Sequence, residues 1–142
     1  MQGLSNYLMQ KLLDHATGNA AYTIPTSLTI HLYKDDPGPA DTGNEVSDTA
    51  DDTAYAAQTM SMAVAAVDGA DAWKTANDAV ETFAAVVYGS GAAPYVVTHG
   101  AVKDQLGNLM WYGPLPASVT RNVGEPFSFP IGATFTRLNR SA

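Results

Sequence analysis

Cysteine is absent from this sequence of 142 residues. The absence excludes disulfide bonds, a thiolate nucleophile and every zinc site that depends on cysteine ligands. A chain of this length buries roughly 68% of the surface that its unfolded form exposes, which is enough for one hydrophobic core. We therefore expect the stability of the fold to come from packing or from assembly with other subunits.

Basic residues are scarce as well. Lys and Arg number 7 against 14 Asp and Glu, so the formal net charge is -7. The basic residues are scattered from Lys11 to Arg140 and form no cluster. Because binding to phosphate groups requires a concentrated positive surface, we expect no nucleic-acid partner.

Long apolar runs are also missing. The N-terminal segment MQGLSNYLMQKLLDHATG has no early basic region and no unbroken apolar stretch. No run approaches the ~20 apolar residues that a membrane-spanning helix needs. We expect neither a signal peptide nor a membrane anchor, and no membrane partner.

The composition that remains is typical of a folded domain. Hydrophobic residues make up 46% of the chain and charged residues only 15%, which distinguishes it from disordered proteins. Most of the polarity comes from Thr, Ser, Asn and Gly, which suit strands and turns. No linker divides the chain, so residues 1–142 are expected to form a single β-rich domain.

An amphipathic helix is predicted over residues 4–16. Apolar residues recur there at helical spacing, with a cap at Ser5 or Asn6 and a stop at Gly18. A helix of about thirteen residues is marginal in isolation. Its apolar face, with Leu8 and Leu12 as candidates, is therefore expected to pack on the domain or on a neighbouring subunit.

Short segments with strand character fill much of the rest. In SLTIHLYK, the apolar residues Leu28, Ile30 and Leu32 occupy every second position, which indicates a half-buried strand. Further segments rich in Val, Thr and aromatic residues are PYVVTHGAVKD, NLMWYGPL, ASVTRNV, PFSFP and GATFTRL. This series predicts a mainly β fold, a β-sandwich or jelly-roll-like domain with a short N-terminal α-helix.

The middle of the chain is less regular. Half of the 14 acidic residues lie between Asp35 and Asp52, among prolines and glycines, so residues 35–52 are expected to form a solvated acidic loop. Residues 53–66 and the segment AVETFAAVVYG are compatible with helix or strand, and their Tyr, Thr and Val content favours strand. DGADAWKTAND is interpreted as a turn that anchors Trp73.

Residues able to perform chemistry are few and dispersed. His15, His31 and His99 show no metal-ligand spacing, and the acidic segments do not match a calcium loop. No serine lies in a nucleophile elbow, and no glycine-rich phosphate loop follows a strand. We expect no catalytic residue, no cofactor, no metal and no enzymatic activity. A weak bridging calcium ion, and a hydrolase with two converging carboxylates, stay open as alternatives.

The segment NLMWYGPLPASVT is the most distinctive part of the sequence. Strand alternation places Leu109, Trp111 and Gly113 on one face and Met110 and Tyr112 on the other, so both faces are apolar or aromatic. Such a strand is either central in a two-layer structure or covered by another element or subunit.

Two roles follow for the aromatic residues of this segment. Trp111 is expected to anchor the core, and Tyr112 to face outward at a subunit interface, where tyrosine is enriched. Pro114 and Pro116 are expected to end the strand because proline donates no backbone hydrogen bond. Leu109, Phe127 and Phe129 complete the candidates for core or interface positions.

Five segments together resemble a family of small virion structural proteins of tailed bacteriophages, a tail-fibre-like family. They are LSNYLMQKLLDH, PTSLTIHLYKDDP, GNEVS, VTHGAVKDQLGNLMWYGPL and VGEPFSFPIGATFTRL. Residues 53–93 depart from the family pattern, since its members typically carry Gly-Tyr-Ala-Arg where this chain has DTAYAAQ. The resemblance implies a noncatalytic β-rich subunit located in the virion, with no family active site to carry over.

The resulting hypothesis is a structural subunit of a tailed bacteriophage particle, in the tail, fibre or neck. It would act through assembly with copies of itself, as a homo-oligomer, and with other virion proteins. The alternatives are a capsid decoration protein and a module that binds a glycan or host receptor. A binding module would present Tyr33, Tyr55 or Trp73 on an exposed platform.

Overall fold

The computed structural model describes residues 3–69, 72–89 and 94–139. The first half of the fold contains β1 (Gly3–Leu4), α1 (Asn6–Thr17), β2 (Leu28–Tyr33), β3 (Gln58–Met60), β4 (Ala66–Val67) and β5 (Ala72–Ala76). The second half contains β6 (Glu81–Phe83), β7 (Tyr95–Asp104), β8 (Leu109–Arg121), β9 (Phe127–Phe129) and β10 (Phe135–Asn139). The predicted fold class, mainly β with a short N-terminal helix, is confirmed.

The strands of the described residues form three antiparallel sheets. A five-stranded sheet has the order β1-β8-β7-β2-β3, a three-stranded sheet the order β10-β5-β4, and a two-stranded sheet pairs β6 with β9. One face of the five-stranded sheet packs on the two-stranded sheet, where Ile30, Leu32 and Val102 meet Phe83 and Phe129. This arrangement is sandwich-like, and the jelly-roll topology stays a prediction.

Helix α1 begins two residues later than predicted and ends where Gly18 adopts the left-handed conformation, with φ 77°. The Ser5 hydroxyl caps the helix by accepting the Leu8 amide at 3.0 Å. Leu4 was expected inside the helix but lies in β1, opposite Trp111 on the edge of β8. A Cβ atom at position 3 would lie 2.8 Å from the Tyr112 ring, so a larger residue there would require that ring to shift. Among the described residues, no helix has the length and apolarity to cross a membrane.

The interpretation of DGADAWKTAND as a turn is wrong. Residues 72–76 form β5, the central strand of the three-stranded sheet, and residues 70 and 71 of the segment lie outside the described residues. Trp73 stands opposite Val67 on β4 and Leu138 on β10. Its longer partner, β10, lies some sixty positions away along the chain, and local propensity does not reveal that pairing.

The two ambiguous segments contain less strand than expected. Within residues 53–66 only Gln58–Met60 and the first residue of β4 are strand, and AVETFAAVVYG contributes only Glu81–Phe83. Single bridges continue the pairing beyond these short strands, at Met62 with Asn77 and at Asp52 with Tyr88. Neither segment forms a helix.

Strand β8 does not end at its prolines, which contradicts the prediction. Pro114 pairs with His99, after which residues 115–118 leave the ladder until Val119 pairs with Val97. The missing amide of proline interrupts the hydrogen bonding at this point, as expected. The chain nevertheless stays extended and pairs with β7 again from Val119. Strand β8 therefore contains a short unpaired segment where the prediction placed its end.

A β-bulge overturns the predicted faces of β8. Trp111 pairs with Val102, but Leu109 pairs with Lys103, so Met110 is an extra residue on this strand. A bulge shifts the alternation by one position. Met110 and Trp111 therefore both belong to the main core cluster, whereas Leu109 packs with Tyr33 and Ala101 in a second cluster.

Candidate assembly surface

A network of polar side chains covers the outer face of the five-stranded sheet. His31 and Tyr33 come from β2 and Lys103 from β7, while Asp41 and Glu45 come from the loop of residues 35–52. His31 Nδ1 lies 2.5 Å from Glu45 Oε1, and the Tyr33 hydroxyl donates to Asp41 Oδ1 at 2.5 Å. Lys103 Nζ lies 2.9 Å from Asp41 and 3.1 Å from Glu45. The network fastens the loop to the sheet.

The electrostatics of the network favour the ionised forms of Glu45 and Lys103. Burial alone would raise the pKa of Glu45, but His31 and Lys103 outweigh it and lower that pKa to about 2. Burial likewise opposes the charge on Lys103, while Asp41 and Glu45 raise its pKa. Burial and the bond to Asp41 raise the pKa of Tyr33. Because the acids and the lysine satisfy one another, the arrangement suits a structural clamp better than proton transfer.

The end of the same loop is anchored in the interior. Asp52 is 2% exposed, and its Oδ1 accepts the amides of Val87 at 2.9 Å and Ala54 at 3.0 Å. Its Oδ2 accepts the Tyr95 hydroxyl at 3.0 Å. Asp51 pairs with Lys34 at 2.8 Å. The expectation of a solvated loop is therefore wrong for Asp51 and Asp52, since both carboxylates bind groups that lie outside residues 35–52.

The three histidines lie in separate environments. His15 Nδ1 accepts the Tyr22 amide at 3.2 Å, and a nitrogen of His99 lies 2.8 Å from the Thr98 hydroxyl. His31 belongs to the polar network. Within residues 3–69, 72–89 and 94–139, no group of three or more His, Asp and Glu side chains is arranged to hold a metal ion.

A shallow cleft of about 350 Å³ opens between the start of α1, the acidic loop and the turn after β7. Among the described residues, Asp41 is the only acid on its wall, and Lys103 Nζ pairs with that carboxylate at 2.9 Å. The cleft therefore offers no pair of free carboxylates of the kind that a hydrolase would need.

The candidate core and interface residues are not brought together in one place. Trp111 is 5% exposed and joins Leu8 and Phe129 in the main core cluster, and Phe127 packs half-buried against that cluster. Leu109 is buried in the second cluster, with half-buried Tyr112 packed against it. Leu12 is exposed on α1, together with Met9 and Leu13.

An apolar row on the three-stranded sheet was missed by sequence reasoning. Val67, Trp73 and Leu138 stand side by side on neighbouring strands, and all three are exposed, Trp73 by 57%. A contiguous exposed apolar group marks an interaction surface more often than a chance arrangement. Of the three residues, only Trp73 stands out in the sequence, and it was interpreted there as the anchor of a turn.

The comparisons with known proteins identify one family. The family model described as "Podophage GP4 fiber I protein gp80" matches residues 3–136, which is nearly the whole chain. A comparison with curated proteins finds no match.

Proposed function

The chain belongs to this podophage fibre family, and from that membership we propose that it is a noncatalytic subunit of the tail, fibre or neck. Membership makes it a structural component of the virion. Its proposed mode of action is protein–protein assembly, with copies of itself and with other virion proteins as partners.

The observation that carries the proposal is the row of Val67, Trp73 and Leu138. Each residue lies directly opposite the next across the sheet, so the three side chains present one continuous apolar surface. Tryptophan at the centre of an apolar patch is typical of the residues that dominate binding energy at subunit interfaces. A structural subunit needs such a surface to bind its neighbours.

The test is association of the purified chain, measured by light scattering over a range of concentrations. We expect the wild-type chain to form oligomers and Trp73→Ser to lose this association at least tenfold in affinity. Thermal stability is expected to change little, because Trp73 is largely outside the core.

Val64→Ser is the matched control, since Val64 is exposed but lies outside the row. It is expected to leave association unchanged. A chain that stays monomeric at every accessible concentration, or one that associates equally well with and without Trp73, contradicts this assembly role.

A second candidate function is favoured by the exposure of Trp73 itself. The flat face of an exposed indole is a surface on which a sugar ring can stack. In that case the isolated chain binds oligosaccharides on a glycan array and loses the signal on Trp73→Ser. Binding of a glycan by a monomeric chain would favour this role over subunit assembly.

A further inference from the structure

The apolar face of helix α1 points away from the domain. Met9, Leu12, Leu13 and Ala16 are all exposed, Leu13 by 66%. Their spacing of three and four residues places them on one face of the helix. Leu8, the buried residue of the helix, lies at the edge of this face, one turn before Leu12. An amphipathic helix normally turns this kind of stripe towards a core, so the stripe in α1 has no partner within the described chain.

We propose that the partner is the same helix of a second copy, and that the two helices pair antiparallel about a two-fold axis between Leu12 and Leu13. The inference rests on the proposed assembly role and names the partner and geometry of one contact.

The charge of the helix favours a second copy. The chain carries a net charge of -7, so most surfaces of two copies repel one another. In α1 the single lysine, Lys11, is balanced by the single acid, Asp14, and the exposed stripe carries no charge. This face therefore allows two acidic chains to meet without opposing carboxylates.

The order of residues in the stripe favours the antiparallel direction. About a centre between Leu12 and Leu13, Met9 of one helix faces Ala16 of the other, and Leu12 faces Leu13. A large side chain then meets a small one at both ends, which close packing requires. In a parallel pair Met9 would face Met9 and Ala16 would face Ala16, leaving a gap at one end. Antiparallel helix dipoles also attract one another.

The contact is small. A helix of 12 residues is about 18 Å long, and its face is well below the ~800 Å² per partner of a stable interface. Pairing through α1 alone is therefore expected to be weak and concentration-dependent, and to be strengthened by other subunit contacts in the particle.

Engineered cysteines test the direction directly, because the natural chain contains none. Positions 9 and 16 are separated by about 10.5 Å along the helix, whereas a disulfide needs Cα atoms within about 7 Å. We expect a mixture of Met9→Cys and Ala16→Cys chains to form a disulfide-linked dimer under mild oxidation, at least tenfold faster than either variant alone. Gln10→Cys, exposed beside the stripe, is the matched control and should crosslink slowly with both.

Adding Leu13→Asp to both cysteine variants should abolish the crosslink while leaving the melting temperature nearly unchanged. Crosslinking of Met9→Cys with itself at the rate of the mixture would overturn the antiparallel geometry. If the mixture does not crosslink although light scattering shows oligomers, the helix contact is wrong and the assembly role stands. If the chain is also monomeric at high concentration, both proposals fail.

Discussion

The five-stranded and three-stranded sheets treat their tryptophans in opposite ways. Trp111 in β8 is 5% exposed and belongs to the main core cluster, together with Leu8 of α1 and Phe129 of the two-stranded sheet, whereas Trp73 in β5 is 57% exposed. Both tryptophans lie inside β-strands, so the strand conformation itself does not distinguish them. The comparison shows that the burial of an aromatic residue depends on what covers its sheet face, and that an uncovered row is available to a partner.

The largest expected effect separates the two tryptophans. Trp111→Ala should lower the free energy of unfolding by roughly 3 to 5 kcal/mol, because it removes a buried ring and leaves a cavity. Trp73→Ala should cost less than about 1 kcal/mol. Urea unfolding of both variants measures the difference.

Trp111→Phe sharpens the same comparison. No described residue accepts a hydrogen bond from the buried indole Nε1 of Trp111, so Trp111→Phe removes no hydrogen bond within the described part of the chain. We expect the phenylalanine to recover most of the stability lost in the alanine variant. Equal costs for Trp111→Ala and Trp73→Ala would show that the face assignment of β8 is incorrect.

A smaller effect is expected where the acidic loop enters the interior. Asp52→Ala removes the acceptor of three hydrogen bonds and should cost about 1 to 3 kcal/mol. Asp48→Asn is the control, since Asp48 is exposed on the same loop and should change stability little. Chemical denaturation of the two variants is the measurement. Identical midpoints would restore the interpretation of residues 35–52 as a solvated loop.

The smallest expected effect is confined to acidic pH. Glu45 has a pKa of about 2 in the folded chain against an ordinary value of 4.5, so its folded state favours the charged form. Its contribution to stability is present above pH 4.5 and is lost as the pH falls towards 2. Glu45→Gln should therefore be less stable than wild type at pH 7, and the gap should close near pH 2.

Urea midpoints of both chains between pH 7 and pH 2.5 measure this gap, and the difference between chains cancels the titration of the other acids. A gap that is constant with pH would mean that His31 and Lys103 do not stabilise the charge on Glu45.

Local patterns predicted several features of the fold correctly. The Ser5 cap, the Gly18 stop and the alternation in β2 depend on backbone geometry and on a single sheet face, which nearby residues determine. The same reasoning failed for β5, whose full-length partner β10 is distant in sequence. For the candidate assembly surface, sequence reasoning found Leu12 and flagged Trp73 without finding the row around it.

The sequence by itself determined the chemistry available to this protein: no thiols, few basic residues, a short amphipathic helix and many strand-forming segments. The tertiary structure alone decided which faces were covered. One extra residue at Met110 reversed the alternation of β8, and pairing across the sheet aligned Val67, Trp73 and Leu138. Strand periodicity is local, but register, bulges and the direction of a helix face depend on contacts between segments far apart in the chain.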